Sequence, residues 1–155
     1  MLSPKPPTRL RTMASAKPLR AGRQIHDAAW LDAVVLRMAS YVRAQLPKGQ
    51  AGGLVGIETG GAILARRLAA ALEHWSSPLP VGTLDITYYR DDRGVPKRHE
   101  AKVRLPFAVG GRWVFLVDDV LYKGLPARAA IDALVDQGRP EGIRLLVLVD
   151  REGRE

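Results

Sequence analysis

Residues 113–126 read Trp113-Val114-Phe115-Leu116-Val117-Asp118-Asp119-Val120-Leu121-Tyr122-Lys123-Gly124-Leu125-Pro126. Five apolar residues run together, two acids follow, and a glycine-containing turn leads to a proline. An apolar run without polar alternation marks a central strand covered on both faces. Proline is comfortable in the first turn of a helix. The stretch is therefore a strand over 113–117, a turn, and a helix from Pro126 to about Gln137 that Gly138 closes.

Outward from that junction, helices and strands alternate. Ile25, Ala28, Ala29, Val34, Val35, Met38, Val42 and Leu46 follow a helical period. Asp27 and Asp32 early and Arg37 and Arg43 late suit the helix dipole, and Pro47 and Gly49 end the helix. Leu54 to Ile57 reads as a short buried strand. Thr59-Gly60-Gly61 turns into a second helix, Ala62 to His74, stopped by Pro78 and Pro80. Val81 to Arg90 reads as a strand, and Asp91 to Gly111 as a long polar loop of the kind that often carries function. Ile143 to Val149 reads as another apolar strand. This alternation predicts the α/β class, an open and mostly parallel central sheet flanked by helices.

Composition narrows the function classes. The 155 residues are 46% hydrophobic, enough for a packed core, and hold no cysteine. That excludes disulfide scaffolds, cysteine-ligated zinc and thiol nucleophiles, and it fits a reducing, cytoplasmic setting. No apolar run reaches the ~18 residues that span a bilayer, so no membrane partner is expected. The formal charge is +8, and six of the basic residues fall in residues 1–24, which carry no acid. Residues 25–155 keep only +2. The first 24 residues, with Pro4, Pro6, Pro7 and Pro18, read as a disordered basic tail, and 25–155 as the folded domain.

In parallel α/β sheets ligands bind beyond the carboxyl ends of the strands. Three stretches lie there: Glu58 to Gly61, Asp118 to Pro126, and Asp150-Arg151. Free N–H groups at the start of a helix suit phosphate, and carboxylates accept hydrogen bonds from sugar hydroxyls or help hold Mg²⁺ through water. An acid pair beside an anion nest therefore suits a sugar phosphate. The same acids also read as ordinary caps of the next helix, and spacing alone does not separate the two. His26, His74 and His99 lack metal-ligand spacing, and Trp30, Trp75 and Trp113 read as packing residues. There is no Walker A loop and no dinucleotide fingerprint.

Residues 114–126 resemble the signature by which type I phosphoribosyltransferases bind phosphoribosyl pyrophosphate (PRPP). Val81 to Thr87 continuing through Tyr89-Arg90-Asp91-Asp92, Gly56 to Leu68, Asp132 to Asp136 with Gly138-Arg139-Pro140, and Val147 to Arg151 resemble the PyrR family. Those proteins are pyrimidine operon regulators that are also uracil phosphoribosyltransferases. The resemblance implies the type I phosphoribosyltransferase fold and the reaction of uracil with PRPP to give UMP and pyrophosphate. It implies that Asp118 and Asp119 hold the ribose hydroxyls and that the turn Val120, Leu121, Tyr122, Lys123, Gly124, Leu125 and Pro126 wraps the 5′-phosphate. Thr59, Gly60 and Gly61 would meet the pyrophosphate. The segment after Arg90 would close over the reaction, with Arg90, Lys97, Arg98 and Lys102 as candidate cations and Arg90 the catalytic one. Mg²⁺ would bridge ligand oxygens rather than bind a protein cluster. A homodimer or higher homo-oligomer, and messenger RNA as a further partner, are also implied.

Departures from the family pattern are specific. The turn reads Lys123-Gly124-Leu125-Pro126 where the family has Thr-Gly-Arg-Thr, so two hydroxyls and a guanidinium are gone and Pro126 has no N–H. Each hydrogen bond lost to a charged phosphate is worth ~1.5–3 kcal/mol. Many relatives carry Arg where Gly60 stands. Glu58 adds a negative charge beside a polyanion site unless it turns away. Relatives continue past Gly-Arg-Glu into strands that help cover the nucleobase, so that cover is expected to be short or missing. Weak turnover is the expectation. The alternative reading is a degenerate nucleotide-binding or RNA-binding regulatory domain with little turnover, and transfer to another base stays open.

Overall fold

A computed structural model describes residues 24, 26–75, 77–86 and 101–152. Residues 1–23 of the expected basic tail, Ile25, Ser76, the segment 87–100 and residues 153–155 lie outside the described residues.

Helix α1 spans Ala28–Gln45 and starts where Asp27 accepts the Trp30 N–H at 2.8 Å, an N-cap that satisfies one otherwise unpaired helix donor. Strand β1 (Gly52–Ile57) is buried at every position. Helix α2 (Gly60–Glu73) follows after a two-residue turn. Strand β2 (Val81–Asp85) is succeeded by β3 (Lys102–Arg104), a short strand inside the stretch expected to be loop. Three residues of alternating exposure carry too little apolar period to be read as a strand from sequence. Strand β4 (Trp113–Leu121), helix α3 (Leu125–Asp136) and strand β5 (Gly142–Asp150) follow.

Among the described residues the sheet has five strands in the order β3-β2-β1-β4-β5. Of these described strands only β3 runs antiparallel. The expected mostly parallel α/β sheet is therefore observed, with β4 between β1 and β5. Side chains alternate across the sheet, which splits the core into two layers. Leu54, Phe115, Val117 and Leu146 pack under α1 and α2, whose Val42, Leu64 and Leu68 meet them. Val55, Ile57, Val114 and Leu116 pack under α3 through Ala130, Ala133 and Leu134. A fully buried Leu or Phe contributes about 1.5–3 kcal/mol, so these layers dominate stability.

Two further expectations change. Strand β4 continues four residues past Val117, so Asp118 and Asp119 lie within the strand rather than capping it. Trp30 is 37% exposed and stacks on His26, with ring centroids 3.7 Å apart, instead of packing inward. Trp75 and Trp113 do pack against the α1–α2 core layer. No described helix is long and apolar enough to cross a membrane.

Candidate functional site

The chain leaves β1 for α2 and β2 on one side and reaches β4, α3 and β5 on the other. The sheet order therefore reverses between β1 and β4, the place where parallel sheets open a crevice. Pairing defines its edge. Strand β1 pairs β4 only as far as Gly56↔Val117, whereas β5 pairs β4 out to Leu121↔Asp150. Residues Asp118 to Leu121 thus have a strand neighbour on one side and a notch on the other.

Both acids stand at this notch. Asp118 is 7% exposed and lies on the same face as Val114 and Leu116, facing the α3 layer. Its Oδ1 accepts the Asp119 N–H at 2.9 Å. Asp119 is exposed and lies on the opposite face, toward α2. Its Oδ1 accepts the Val120 N–H at 2.9 Å. Each carboxylate therefore ties down the next backbone amide.

The loop from β1 to α2 borders the notch. The Glu58–Thr59 peptide is cis. Thr59 holds the N-cap position of α2 without a side-chain capping bond, and its carbonyl accepts the Ile63 N–H at 3.4 Å. Gly60 lies directly against the Asp119 carboxylate, and a Cβ there would overlap it. Gly61 lies against the Val117 carbonyl, again with no room for a Cβ. The glycines bring the start of α2 onto β4, so Thr59, Gly60, Gly61 and Asp119 come together. Asp118 joins from the other face.

A cavity of about 370 Å³ lies on that other face. Asp118, Val120, Leu121, Tyr122, Lys123, Gly124, Leu125 and Pro126 line it with Ile86 and Ala127. Every turn residue singled out from sequence is in that lining. Gly124 holds the position before α3 with φ +74°, a left-handed conformation that glycine adopts without the cost other residues bear. Leu125 is 59% exposed and does not fill the turn.

Positive charge also gathers here. Arg151 lies 4.4 Å from the Tyr122 ring centroid and Lys123 lies 5.9 Å from it. The Arg151 N–H donates to the Leu121 carbonyl at 2.8 Å. Arg151 stood at the third strand end in sequence, but its place beside Tyr122 depends on β5 pairing with β4 and has no local signal. Arg90, Lys97 and Arg98 lie outside the described residues. Lys102 is on β3 opposite Asp85, two strands away from the notch. Among the described residues no group of three His, Cys, Asp or Glu forms a metal cluster.

With this geometry in hand, comparison with known proteins is informative. The phosphoribosyl transferase domain model matches residues 23–155. The chain is 47% identical over 138 residues to "Bifunctional protein PyrR" of Roseiflexus sp. (strain RS-1), covering 86% of this chain and 74% of that protein. It is 47% identical over 141 residues to the protein of that name from Thermus thermophilus, covering 88% and 77%. Identity reaches 54% over 106 residues with the Deinococcus deserti protein, where 66% of this chain and 57% of the relative are covered. Among solved structures, a hypoxanthine phosphoribosyltransferase from Trypanosoma cruzi complexed with the product IMP superposes with a TM-score of 0.63 at 17% identity, covering 81% of this chain and 65% of that one. That likeness speaks to the fold alone.

Proposed function

The chain belongs to the phosphoribosyl transferase domain family and, within it, to the PyrR family, and from that premise we propose that it transfers a phosphoribosyl group from PRPP to uracil. The observation that carries this reading is the notch where β4 outruns β1. There two carboxylates, the start of α2 and a cavity bounded by the turn before α3 converge. In this reading Asp118 and Asp119 accept hydrogen bonds from the ribose hydroxyls. The turn Tyr122 to Pro126 takes the 5′-phosphate, with Lys123 and Arg151 supplying charge in place of the absent guanidinium. Thr59, Gly60 and Gly61 face the pyrophosphate.

The bond from ribose C1 to pyrophosphate breaks as a uracil nitrogen bonds to C1 and loses its proton. Charge grows on the leaving group and positive character on the ribose. Catalysis is mostly electrostatic stabilisation by groups already in place. Asp118 and Asp119 would be the residues to hold Mg²⁺ at the notch, through water. The ion would supply charge neutralisation of the pyrophosphate. Arg90 is the proposed catalytic cation. Regulation of pyrimidine genes through messenger RNA, and assembly as a homodimer or larger, belong to the same proposal.

A second reading, nucleotide binding with little turnover, draws on one observation. Leu125 and Pro126 begin α3 where the family has Arg and Thr, and Leu125 projects into solvent. The deciding experiment is conversion of labelled uracil to UMP by the purified chain with PRPP and Mg²⁺. A measurable if weak rate is expected, and Asp119→Asn is expected to lower kcat/KM by at least about a hundredfold. A folded chain that binds UMP but shows no turnover establishes the second reading instead.

A further inference from the structure

Glu58 sits in the candidate pyrophosphate loop, where a carboxylate repels the proposed ligand. Its structural surroundings show how that charge is handled. Strand β1 pairs β2 with Gly56 opposite Thr83 and Ile57 opposite Leu84. Strand β2 pairs β3 with Thr83 opposite Arg104. Alternation across the sheet then puts Glu58, Thr83 and Arg104 on one face. It is the face that carries Asp119 and the start of α2.

On that face the Glu58 carboxylate is turned toward the β3 edge. Thr83 Oγ1 donates to Glu58 Oε1 at 2.9 Å, and Arg104 Nη1 reaches the same oxygen at 3.4 Å. The Glu58 N–H also donates to the Leu84 carbonyl at 2.9 Å. Both ends of the residue are thus tied to β2. The Glu58 side chain is 31% exposed and that of Arg104 69%. An exposed ion pair contributes little to stability, so a stabilising role does not account well for the arrangement. Its consequence is directional: the carboxylate is held toward β2 and β3, on the far side of the loop from Asp119.

We propose that Thr83 and Arg104 are positioning residues that divert the Glu58 carboxylate from the pyrophosphate subsite and so permit a polyanion to bind beside an acid. This rests on the phosphoribosyltransferase reading above. The reaction chemistry itself does not require the pair. What it supplies is affinity for the charged substrate.

The test is suppression. PRPP binding, with Mg²⁺ present, is measured by calorimetry for the unaltered chain, for the double variant Thr83→Val with Arg104→Met, and for the triple variant that adds Glu58→Gln. Melting temperatures are recorded for all three. The double variant is expected to bind PRPP about fivefold more weakly, because a released carboxylate repels the ligand. That deficit should shrink as ionic strength rises. The triple variant should recover to within about twofold of the unaltered chain, since the repelling charge is gone.

A merely structural clamp predicts the reverse, because Glu58→Gln then removes the last of the clamp and cannot restore binding. A triple variant as weak as the double overturns the proposal, and so does a double variant that binds like the unaltered chain. Should the double variant fail to fold, Thr83→Val alone and its pairing with Glu58→Gln are compared in the same way. Absence of PRPP binding by the unaltered chain removes the phosphoribosyltransferase reading and this proposal together. Normal binding without suppression removes this proposal alone.

Discussion

Gly60 and Gly61 are adjacent, and both lack space for a Cβ, yet they meet different neighbours. Gly61 abuts the Val117 backbone, which is fixed by pairing with both β1 and β5. Gly61→Ala is therefore expected to cost about 1–3 kcal/mol through overpacking, read as a melting temperature lower by about 3 °C per kcal/mol. Gly60 abuts a side-chain carboxylate that can rotate. Gly60→Ala should leave the melting temperature within a degree or two. Displacing Asp119 should instead raise KM for PRPP, measured in the UMP-forming assay. This distinction is invisible in sequence, where two glycines after a strand simply read as a turn. The acid pair itself was legible at residue level. The opposite facing of Asp118 and Asp119 was not, because it depends on β4 continuing through them.

At the level of elements, α1, β1, α2, β4, α3 and β5 were readable because each carries a sustained apolar pattern or a clear stop such as Pro47 or Gly138. Strand β3 and the last four residues of β4 were not. Pairing with a neighbouring strand holds them, and Asp118-Asp119 gives no strand propensity of its own. The turn before α3 gives two predictions. Gly124→Ala forces a Cβ into φ +74° and should cost about 1–2 kcal/mol by denaturant unfolding. Leu125→Arg with Pro126→Thr restores a guanidinium, a hydroxyl and an N–H at the start of α3. Since each hydrogen bond to a charged phosphate is worth about 1.5–3 kcal/mol, KM for PRPP should fall by about tenfold or more. An unchanged KM means that the turn does not hold the 5′-phosphate.

At the scale of the molecule, the strand order sets where chemistry can occur, and the α/β alternation in the sequence was enough to anticipate it. The order β3-β2-β1-β4-β5 itself was not readable, because nothing local says which strands become neighbours. Charge is also a whole-molecule property. Six basic residues and no acid precede residue 25, against +2 for the rest. A chain beginning at residue 25 should keep its KM for PRPP. If the basic segment contributes to RNA binding, the slope of log affinity against log salt should flatten by up to about 4, measured by filter binding. An identical slope assigns RNA contact to the folded domain. Finally, the end of β4 is a cantilever. Asp118 to Leu121 project past the last rung shared with β1, and among the described strands only β5 pairs with them. Among the described residues no strand lies on the outer side of β5, and its Leu145 and Val149 are solvent-exposed. The beam that carries both carboxylates is therefore bolted to an edge rail of the described sheet. Loosening that rail, with no change at any residue of the notch, would let the acids sag out of line while the rest of the molecule stood.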